Sequence, residues 1–271
     1  MPNETTAKTS RIALITGANG AIGQAIARQM AALPHYELVL VGRNEQRMAE
    51  TTRAVQTATG NRRVRYELAD LSRQADILTL AGRWQGPLHV LVNNAAASPR
   101  RRQETPEGIE VQWATNVLGY FWLIRAFRDR LAASAPARIV NVASYYAGDL
   151  DLTDVEFKQR PYDNRRAYRQ SKQANRMLTA AFAPRLAPYN VVVNACHPGD
   201  VNSKLSNDLG FGGHEPAEAG ARTPVWLATH PDAATVSGQY FANERAVPDP
   251  FVADETAVES LYQLCLGYGT T

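Results

Sequence analysis

An α/β fold, in which one parallel sheet is doubly wound between two layers of helices, is the class that this sequence predicts. Apolar, β-branched runs alternate with longer stretches of helical periodicity along most of the chain. Runs that are apolar almost without interruption are typical of strands that helices cover on both faces. The chain has 271 residues, of which 45% are hydrophobic, so it can bury a large core without disulfides or metals.

The elements follow each other as repeated strand–helix units, which implies a parallel sheet. Predicted strands cover residues 11–16, 36–42, 63–68, 88–95, 137–144 and 190–196. Predicted helices cover about 21–32, 44–58, the low 70s to 80s and 106–133, and a further helix carries Tyr168. The sequence contains no linker, repeat or low-complexity segment. Residues 11–271 are therefore predicted to form a single domain after a disordered polar tail at 1–10.

Two segments depart from this pattern, and we expect both to be functional loops. One is 145–163, between a strand and a helix, and the other is 199–215, which is rich in glycine and polar residues. Long loops in compact α/β domains are often functional. Both should leave the carboxyl ends of strands, where open sheets of this kind bind ligands.

The glycine-rich segment ITGANGAIG, at 15–23, follows the first strand and opens the first helix. Gly17 permits a tight turn, and Gly20 and Gly23 permit close approach of a ligand and close packing of the helix on the sheet. The helix N-terminus then offers N–H groups and partial positive charge to a diphosphate. A strand–helix turn without a ligand is the alternative, but the position after the first strand favours nucleotide binding.

The end of the second strand bears on the choice of cofactor. NAD-binding proteins of this layout place an acidic residue there, whereas this chain has Arg43, with Arg47 one helical turn later. A guanidinium suits a 2′-phosphate through bidentate, charge-assisted contacts. Glu45 comes too late to take the acidic role, and a surface arginine on a loop is the alternative. The sequence therefore favours NADP(H) over NAD(H).

Composition argues against several classes of function. The net charge is only +3, and the short basic run at 99–102 is typical of a solvated loop, so we expect no nucleic-acid partner. The apolar run at 117–124 is too short to span a membrane, and the N-terminus lacks the apolar core of a signal peptide. Cys196 and Cys265 fit no zinc or redox spacing. We expect no metal and a cytoplasmic location.

Seven motifs in order give the chain a family resemblance: TGANGAIG, ADL (69–71), NNAA (93–96), TNVLG (115–119), IVNVAS (139–144), YRQSK (168–172) and HPG (197–199). With them the chain resembles the short-chain dehydrogenases/reductases, a Rossmann-like family, over residues 11 to about 245. The insert before Tyr168 and the strings AYRQSKQANRML, HPGDVNSKL and SGQYF are similar to the retinol-dehydrogenase-like and protochlorophyllide-reductase-like branch. That resemblance implies NADPH-linked reduction of an apolar carbonyl compound or, less often, of a carbon–carbon double bond.

The resemblance also implies which residues contact the cofactor. They are Gly17, Asn19, Gly20, Ala21, Ile22, Gly23, Arg43, Asp70, Leu71, Asn93, Ala95, Tyr168, Lys172, Pro198 and Gly199. Asp70 would contact the adenine edge, although an N-cap of the following helix is an alternative for it. Asn93 would close the fourth strand beside the adenosine.

Four residues form the predicted catalytic set. Tyr168 and Lys172 are four residues apart and share one helix face. A phenol titrates near pH ~10, and a nearby ammonium should lower that pKa, so Tyr168 can exchange a proton with a carbonyl oxygen. Ser144 can hydrogen-bond the same oxygen. The resemblance implies that Asn116 supports a water relay that reaches Lys172. It also implies that Lys172 binds the hydroxyls of the nicotinamide ribose. Packing with a snorkelling amine is the alternative for the tyrosine–lysine pair.

The substrate pocket is expected in the two loops. Apolar side chains there are Tyr145, Tyr146, Tyr162, Leu205, Leu209 and Phe211. They suit an apolar small molecule, unless they only pack their own loops. The glycines at 210–213 suggest a mobile lid. A structural role is favoured over acid/base chemistry for His197, which precedes Pro198 and Gly199.

The function that these observations predict is a soluble NADPH-dependent oxidoreductase. It would reduce a ketone or aldehyde of an apolar small molecule, reversibly, with Tyr168 as the acid/base. Reduction of an activated carbon–carbon double bond is one alternative, which the long insert permits. A dinucleotide-binding regulator without turnover is another, although such proteins usually lose the tyrosine or the lysine. The long helices offer surfaces for pairing across a two-fold axis, as in a homodimer.

Overall fold

The structure is a computed structural model that describes residues 10–269, so the predicted tail lies outside the described residues except for Ser10. Eight strands are present in this range: β1 Arg11–Thr16, β2 Tyr36–Gly42, β3 Val64–Leu68, β4 Val90–Asn93, β5 Ala137–Val142, β6 Val191–Cys196, β7 Tyr240–Ala242 and β8 Arg245–Val247. They form one sheet in the order β3-β2-β1-β4-β5-β6-β7-β8. Neighbouring strands are parallel except β7 and β8, which form an antiparallel hairpin at the edge.

Helices cover both faces of the sheet. They are α1 Ala21–Ala31, α2 Glu45–Thr59, α3 Gln74–Arg83, α4 Gly119–Ala133, α5 Asn164–Leu186, α6 Lys204–Asp208, α7 Ala217–Thr229 and α8 Glu255–Leu266. Helices α3, α4, α5 and α8 share one hydrophobic cluster, and α1, α2 and α7 share the other. The prediction of a Rossmann-like, doubly wound α/β fold is confirmed.

The strand β4 shows how the sheet serves both clusters. Leu91 belongs to the cluster of α3, α4, α5 and α8, whereas Val90 and Val92 belong to the other cluster. Successive side chains of a strand point to opposite faces, so a strand covered on both sides is apolar at every position. The uninterrupted apolar runs of the sequence have this cause.

The predicted helix over 106–133 begins later than expected. Gly108 has φ +79° and closes a turn before the helix. The Glu110 carboxylate then accepts hydrogen bonds from the backbone N–H groups of Gln112 and Trp113, at 2.9 and 2.7 Å. Glu110 thus stabilises the start of the helical segment at residue 111, which continues through a π-helical stretch over Trp113–Leu118 into α4.

The crevice for a ligand follows from the strand order. The order reverses between β1 and β4, and this is where open α/β sheets bind ligands, outside the carboxyl ends of the strands. The segment 145–163 follows β5 and 199–215 follows β6, so both leave this edge, as predicted. Strands β4 and β5 end two residues earlier than predicted, which places Asn94, Ala95 and Ser144 in the crevice loops.

The C-terminal helix α8, which was not predicted, packs on α4 and α5. The Tyr262 ring lies 5.3 Å, between centroids, from both Phe121 and Phe182. Part of the α4 and α5 surface is therefore covered by the same chain. Within residues 10–269, no helix has both the length and the apolar composition that crossing a membrane requires.

Candidate active site

The loop after β1 has the geometry that a diphosphate site needs. Gly17 has φ +62°, and a Cβ at this position would lie 2.7 Å from Ala95 Cα. A Cβ at Gly23 would collide with the carbonyl oxygen of Gly17. Only glycine fits at both positions, because the loop, the helix start and the β4 loop approach so closely.

The first turn of α1 leaves backbone donors available to a ligand. Gly20 is the N-cap residue, and no side chain caps this helix. The N–H groups of Ala21 and Ile22 stand at a helix N-terminus that lies at the crevice, beside Asn19. Uncapped N–H groups and the helix dipole attract an anion, so the residues present fit the diphosphate of a dinucleotide.

Two residues that the sequence did not single out hold this loop in place. Thr16 Oγ1 accepts hydrogen bonds from the N–H groups of Asn94 and Ala95, at 2.8 and 3.1 Å. The Asn94 side chain donates to the carbonyl oxygen of Thr16 at 2.9 Å. The ends of β1 and β4 are thereby locked together. The second asparagine of the NNAA motif was the signal that could have revealed this role.

The Asn93 side chain does not lie beside the predicted adenosine site. It is completely buried, and its amide nitrogen donates to Asn141 Oδ1 at 2.9 Å. Asn141 in turn donates to Thr179 Oγ1 at 2.8 Å. This chain of polar groups ties β4 to β5 and α5. The Asn93 side chain thus stabilises the sheet and leaves only its backbone for the cofactor contact, which stays a prediction, whereas the Asn94 side chain stabilises the crevice loop.

The predicted adenosine contacts lie at the ends of β2 and β3. Arg43 has a side chain that is 76% exposed, and its guanidinium is 3.8 Å from the Asp70 carboxylate. Asp70 accepts hydrogen bonds from both the N–H and the hydroxyl of Ser72. The N-cap of α3 is Arg73, so the N-cap alternative for Asp70 is wrong. The Leu71 side chain is buried in the core and leaves only its backbone for a ligand.

The four predicted catalytic residues do come together. Helix α5 presents Tyr168 and Lys172 on one face, and both side chains are buried. The Ser144 hydroxyl lies close enough to the Tyr168 phenol to lower its pKa. Lys172 Nζ donates to the Val142 carbonyl at 2.8 Å and lies 5.5 Å from the centre of the Tyr168 ring.

The ionisation of this pair differs from the prediction. Burial raises the pKa of Tyr168 to about 12, and the hydrogen bond from Ser144 offsets only part of that rise. Burial also lowers the pKa of Lys172 to about 7, because desolvation disfavours the ammonium. Desolvation thus dominates both residues, and the expected lowering of the tyrosine pKa by the lysine is not found.

Asn116 lies in the π-helical segment, with its side chain fully committed to protein partners. Its amide accepts from the N–H of Ala97 at 2.8 Å and donates to the Ala97 carbonyl and to Ser171 Oγ. Its backbone carbonyl accepts from the Asn175 side chain at 2.7 Å. Asn116 thus connects the β4 loop to α5, and the predicted water relay remains a proposal.

Among the predicted pocket residues, two aromatic contacts stand out. Tyr145, with 77% of its surface exposed, stacks on His197, and its N–H donates to His197 Nδ1 at 3.3 Å. Tyr146 contacts Phe211 edge to face across the two loops. The Nδ1 acceptor role and the burial that lowers the pKa of His197 keep its imidazole neutral, which fits the predicted structural role.

The other predicted pocket residues have different surroundings. Leu205 is half-buried on α6, whereas Leu209, just after α6, is buried. The Tyr162 hydroxyl donates to the Pro99 carbonyl at 2.9 Å and accepts from Gln112 Nε2, so it fastens the insert to the β4 loop. The Tyr162 hydroxyl is therefore used within the protein, and a pocket role for Leu205 and Leu209 stays a prediction.

The loop with Pro198 and Gly199 approaches the crevice from the β6 side. Gly199 has φ +102°, and a Cβ there would collide with the Glu215 carboxylate. The positive φ favours glycine at this position, whereas the Glu215 side chain could move aside. Among the described residues, no group of three or more histidine, cysteine or acidic side chains is placed to hold a metal ion.

Comparison with known proteins extends over most of the chain. A family model described as short chain dehydrogenase matches residues 11–210. Retinol dehydrogenase 13 of Mus musculus is 32% identical over 92% of this chain and 80% of its own length. The crystal structure of an uncharacterized protein from Mycobacterium paratuberculosis matches with a TM-score of 0.79 and 26% identity, covering 96% of this chain and 93% of that one. The Pseudomonas aeruginosa RhlG/NADP active-site complex matches with a TM-score of 0.69 and 25% identity, covering 86% and 94%.

Proposed function

This chain belongs to the short chain dehydrogenase family, and on that basis we propose that it is an NADPH-dependent reductase of apolar aldehydes or ketones. The observation that carries the proposal is the burial of Tyr168 and Lys172 on one face of α5, with the Lys172 amine 5.5 Å from the centre of the tyrosine ring and Ser144 close enough to lower the pKa of the phenol. Two hydroxyl groups that can both hydrogen-bond the substrate oxygen, with a basic amine nearby, suit proton exchange with a carbonyl compound or an alcohol. The reaction is reversible, and the name retinol dehydrogenase describes the alcohol-oxidising direction in a relative.

The crevice residues support a dinucleotide as the cofactor. The uncapped N–H groups of Ala21 and Ile22 would hold its diphosphate, and Pro198 and Gly199 would border its nicotinamide end. Bound NADPH would supply the hydride. Arg43 supports NADPH over NADH because its guanidinium is exposed at the end of β2, where a 2′-phosphate needs a positive charge.

The protein's own groups carry the proton chemistry. With a pKa of about 12, Tyr168 is protonated at neutral pH, which is the form that donates a proton to a carbonyl oxygen. The Ser144 hydroxyl would donate a hydrogen bond to the same oxygen and stabilise the negative charge that develops on it. Lys172, when charged, would stabilise the phenolate that remains on Tyr168.

An apolar small molecule suits the surroundings of these groups. Tyr145, Tyr146 and Phe211 line the approach from the two loops, and retinol dehydrogenase 13 is named for an apolar alcohol. The buried thiols Cys196 and Cys265 are unpaired, which supports a reducing compartment such as the cytoplasm.

The central test is turnover by the Tyr168→Phe variant. Purified protein would be mixed with NADPH and a panel of apolar aldehydes, ketones and enones, and products would be identified. We expect carbonyl reduction that falls by about 10²–10⁴-fold in Tyr168→Phe, because the general acid is lost. Tyr189→Phe, the same chemical change on an exposed tyrosine beyond α5, should retain activity.

The products decide between the hydride acceptors. An alcohol from a ketone or aldehyde supports the proposal, and a saturated ketone from an enone would replace it with double-bond reduction. Retained turnover in Tyr168→Phe would refute the acid role. If NADPH binds but no compound of the panel is reduced, the result would contradict the proposed reductase function.

Cofactor preference is tested at Arg43. Hydrogen bonds to charged groups contribute about 1.5–3 kcal/mol, so Arg43→Ala should raise the KM for NADPH by about 10–100-fold and leave the KM for NADH unchanged. Arg53→Ala, on the exposed face of α2, is the matched control. Equal effects of Arg43→Ala on both cofactors would contradict a 2′-phosphate contact.

A further inference from the structure

The two substrate loops meet through a pair of aromatic rings. Tyr146 lies in the segment 145–163 and Phe211 in the segment 199–215. Their ring centroids are 4.6 Å apart, and the ring planes are inclined by 77°. An edge-to-face arrangement at this distance is favourable, so the rings hold the loops together. Phe211 is 39% exposed, so the rings meet at the surface, where separation uncovers little of the core.

Each ring of this pair has an arginine of α5 over its face. The Arg169 guanidinium is 5.1 Å from the centre of the Tyr146 ring, and the Arg165 guanidinium is 5.6 Å from the centre of the Phe211 ring. Both distances are within the range of cation–π attraction. Arg165 and Arg169 are four residues apart, so a single face of α5 supports both rings.

Each arginine is also fastened to the loop that carries its ring. Arg165 Nε donates to the Leu209 carbonyl at 2.8 Å, two residues before Phe211. Arg169 pairs with the Asp149 carboxylate at 3.0 Å, three residues after Tyr146. The two loops are thus held by arginines on neighbouring turns of one helix, one through a backbone carbonyl and the other through a carboxylate.

Glycines make room for both guanidinium groups. A Cβ at Gly210 would lie 2.6 Å from an Arg165 nitrogen, and a Cβ at Gly148 would lie 2.8 Å from an Arg169 nitrogen. Both glycines have positive φ, +81° for Gly210 and +142° for Gly148. The loops therefore have backbone shapes that accept an arginine at close range.

The ring pair is connected to the reacting groups. The backbone N–H of Tyr146 donates to Ser144 Oγ at 3.0 Å, and the Ser144 hydroxyl is close enough to Tyr168 to lower the pKa of its phenol. Tyr168 itself lies between the two arginines in the sequence of α5. A molecule that reaches Ser144 from between the loops therefore passes beside the two rings.

We propose that Tyr146 and Phe211 form an aromatic gate on the approach to Ser144 and Tyr168, and that Arg165 and Arg169 are specificity-determining residues that hold the gate closed. This inference rests on the proposed carbonyl-reductase function. Small carbonyl compounds reach the site without separating the rings. Larger carbonyl compounds must first displace the Phe211 ring from Tyr146 and from Arg165. The contacts of the arginines with the rings therefore limit the size of the substrate.

The test compares kcat/KM for a bulky and a small apolar aldehyde, such as a polycyclic aryl aldehyde and butanal. In Phe211→Ala the bulky-to-small ratio should rise at least tenfold over wild type, and Arg165→Gln and Arg169→Gln should each raise it severalfold. Arg166→Gln, an exposed arginine on the same helical turn, is the matched control and should leave the ratio unchanged. An unchanged ratio in Phe211→Ala and Arg165→Gln, or an equal rise in Arg166→Gln, would overturn the gate.

Hydrogen exchange gives a second readout that needs no turnover. The N–H groups of Gly210 and Phe211 are bonded within their loop, to the carbonyls of Asn207 and Ser206. We expect Arg165→Gln, and not Arg166→Gln, to accelerate exchange in the peptide 204–215 severalfold. If wild type reduces no aldehyde while exchange responds in this way, the proposed function fails and the gate stands. If wild type is active and neither the ratio nor the exchange responds, the gate fails and the function stands.

Discussion

Burial, more than neighbouring charge, sets the ionisation of the residues that do the chemistry. Desolvation raises the pKa of Tyr168 to about 12 and lowers the pKa of Lys172 to about 7. The tyrosine therefore keeps its proton throughout the neutral range, as an acid in carbonyl reduction must. The lysine, by contrast, changes charge within that range.

A pH dependence of the reduction follows from Lys172. The charged amine is present below pH about 7 and is lost as the pH rises through that value. Since only the ammonium stabilises the phenolate left on Tyr168, kcat/KM for reduction should decline above pH about 7, by up to about tenfold per pH unit. Lys172→Arg keeps its charge and should abolish this decline, whatever its absolute rate. The same decline in both proteins would contradict the role of the lysine charge.

The regular elements were predictable because local composition decides them. The strand β2 and the helices α2 and α3 lie where the apolar runs and the helical periodicity placed them. The start of the helix after Gly108 was not predictable, because it depends on the hydrogen bonds that the Glu110 side chain accepts. The helix α8 depends on its packing against Phe121 and Phe182, which are remote in the sequence.

The active site was predictable to a similar extent and for similar reasons. Tyr168 and Lys172 follow from helical spacing, and Gly17 from its place after β1. The role of Asn94 did not follow, because its bonds to Thr16 and Gly17 form only where the loops after β1 and β4 meet in the assembled fold. Contacts between loops, such as the aromatic gate, depend on the assembled fold and leave no local signal.

For the molecule as a whole, the C-terminal region is bound to the catalytic helix by an ion pair in the interior. Arg176, one turn after Lys172 on α5, makes a bidentate contact with Asp249, with N–O distances of 2.7 and 3.0 Å. Both side chains are more than nine-tenths buried. The Arg176 guanidinium also lies 3.7 Å from the centre of the Tyr240 ring and 4.6 Å from that of Phe251. The pair thus joins α5 to the sheet edge and to the segment that leads into α8.

Removal of one partner should therefore destabilise the whole fold. Asp249→Asn keeps the shape of the side chain but leaves a buried guanidinium without its counter-charge, which costs about 3–5 kcal/mol in the free energy of unfolding. The pair Arg185–Glu259 also joins α5 to α8, but its side chains are 34% and 45% exposed. Because solvent screens such a pair, Glu259→Gln should change stability little.

Urea unfolding of the two variants would compare them directly. A loss of stability in Asp249→Asn no larger than that in Glu259→Gln would show that the interior pair does not hold the C-terminal region. Replacement of both partners, as Arg176→Met with Asp249→Leu, should restore most of the loss, because two apolar side chains of similar size need no counter-charge. That recovery would separate the cost of an unpaired charge from the cost of lost packing.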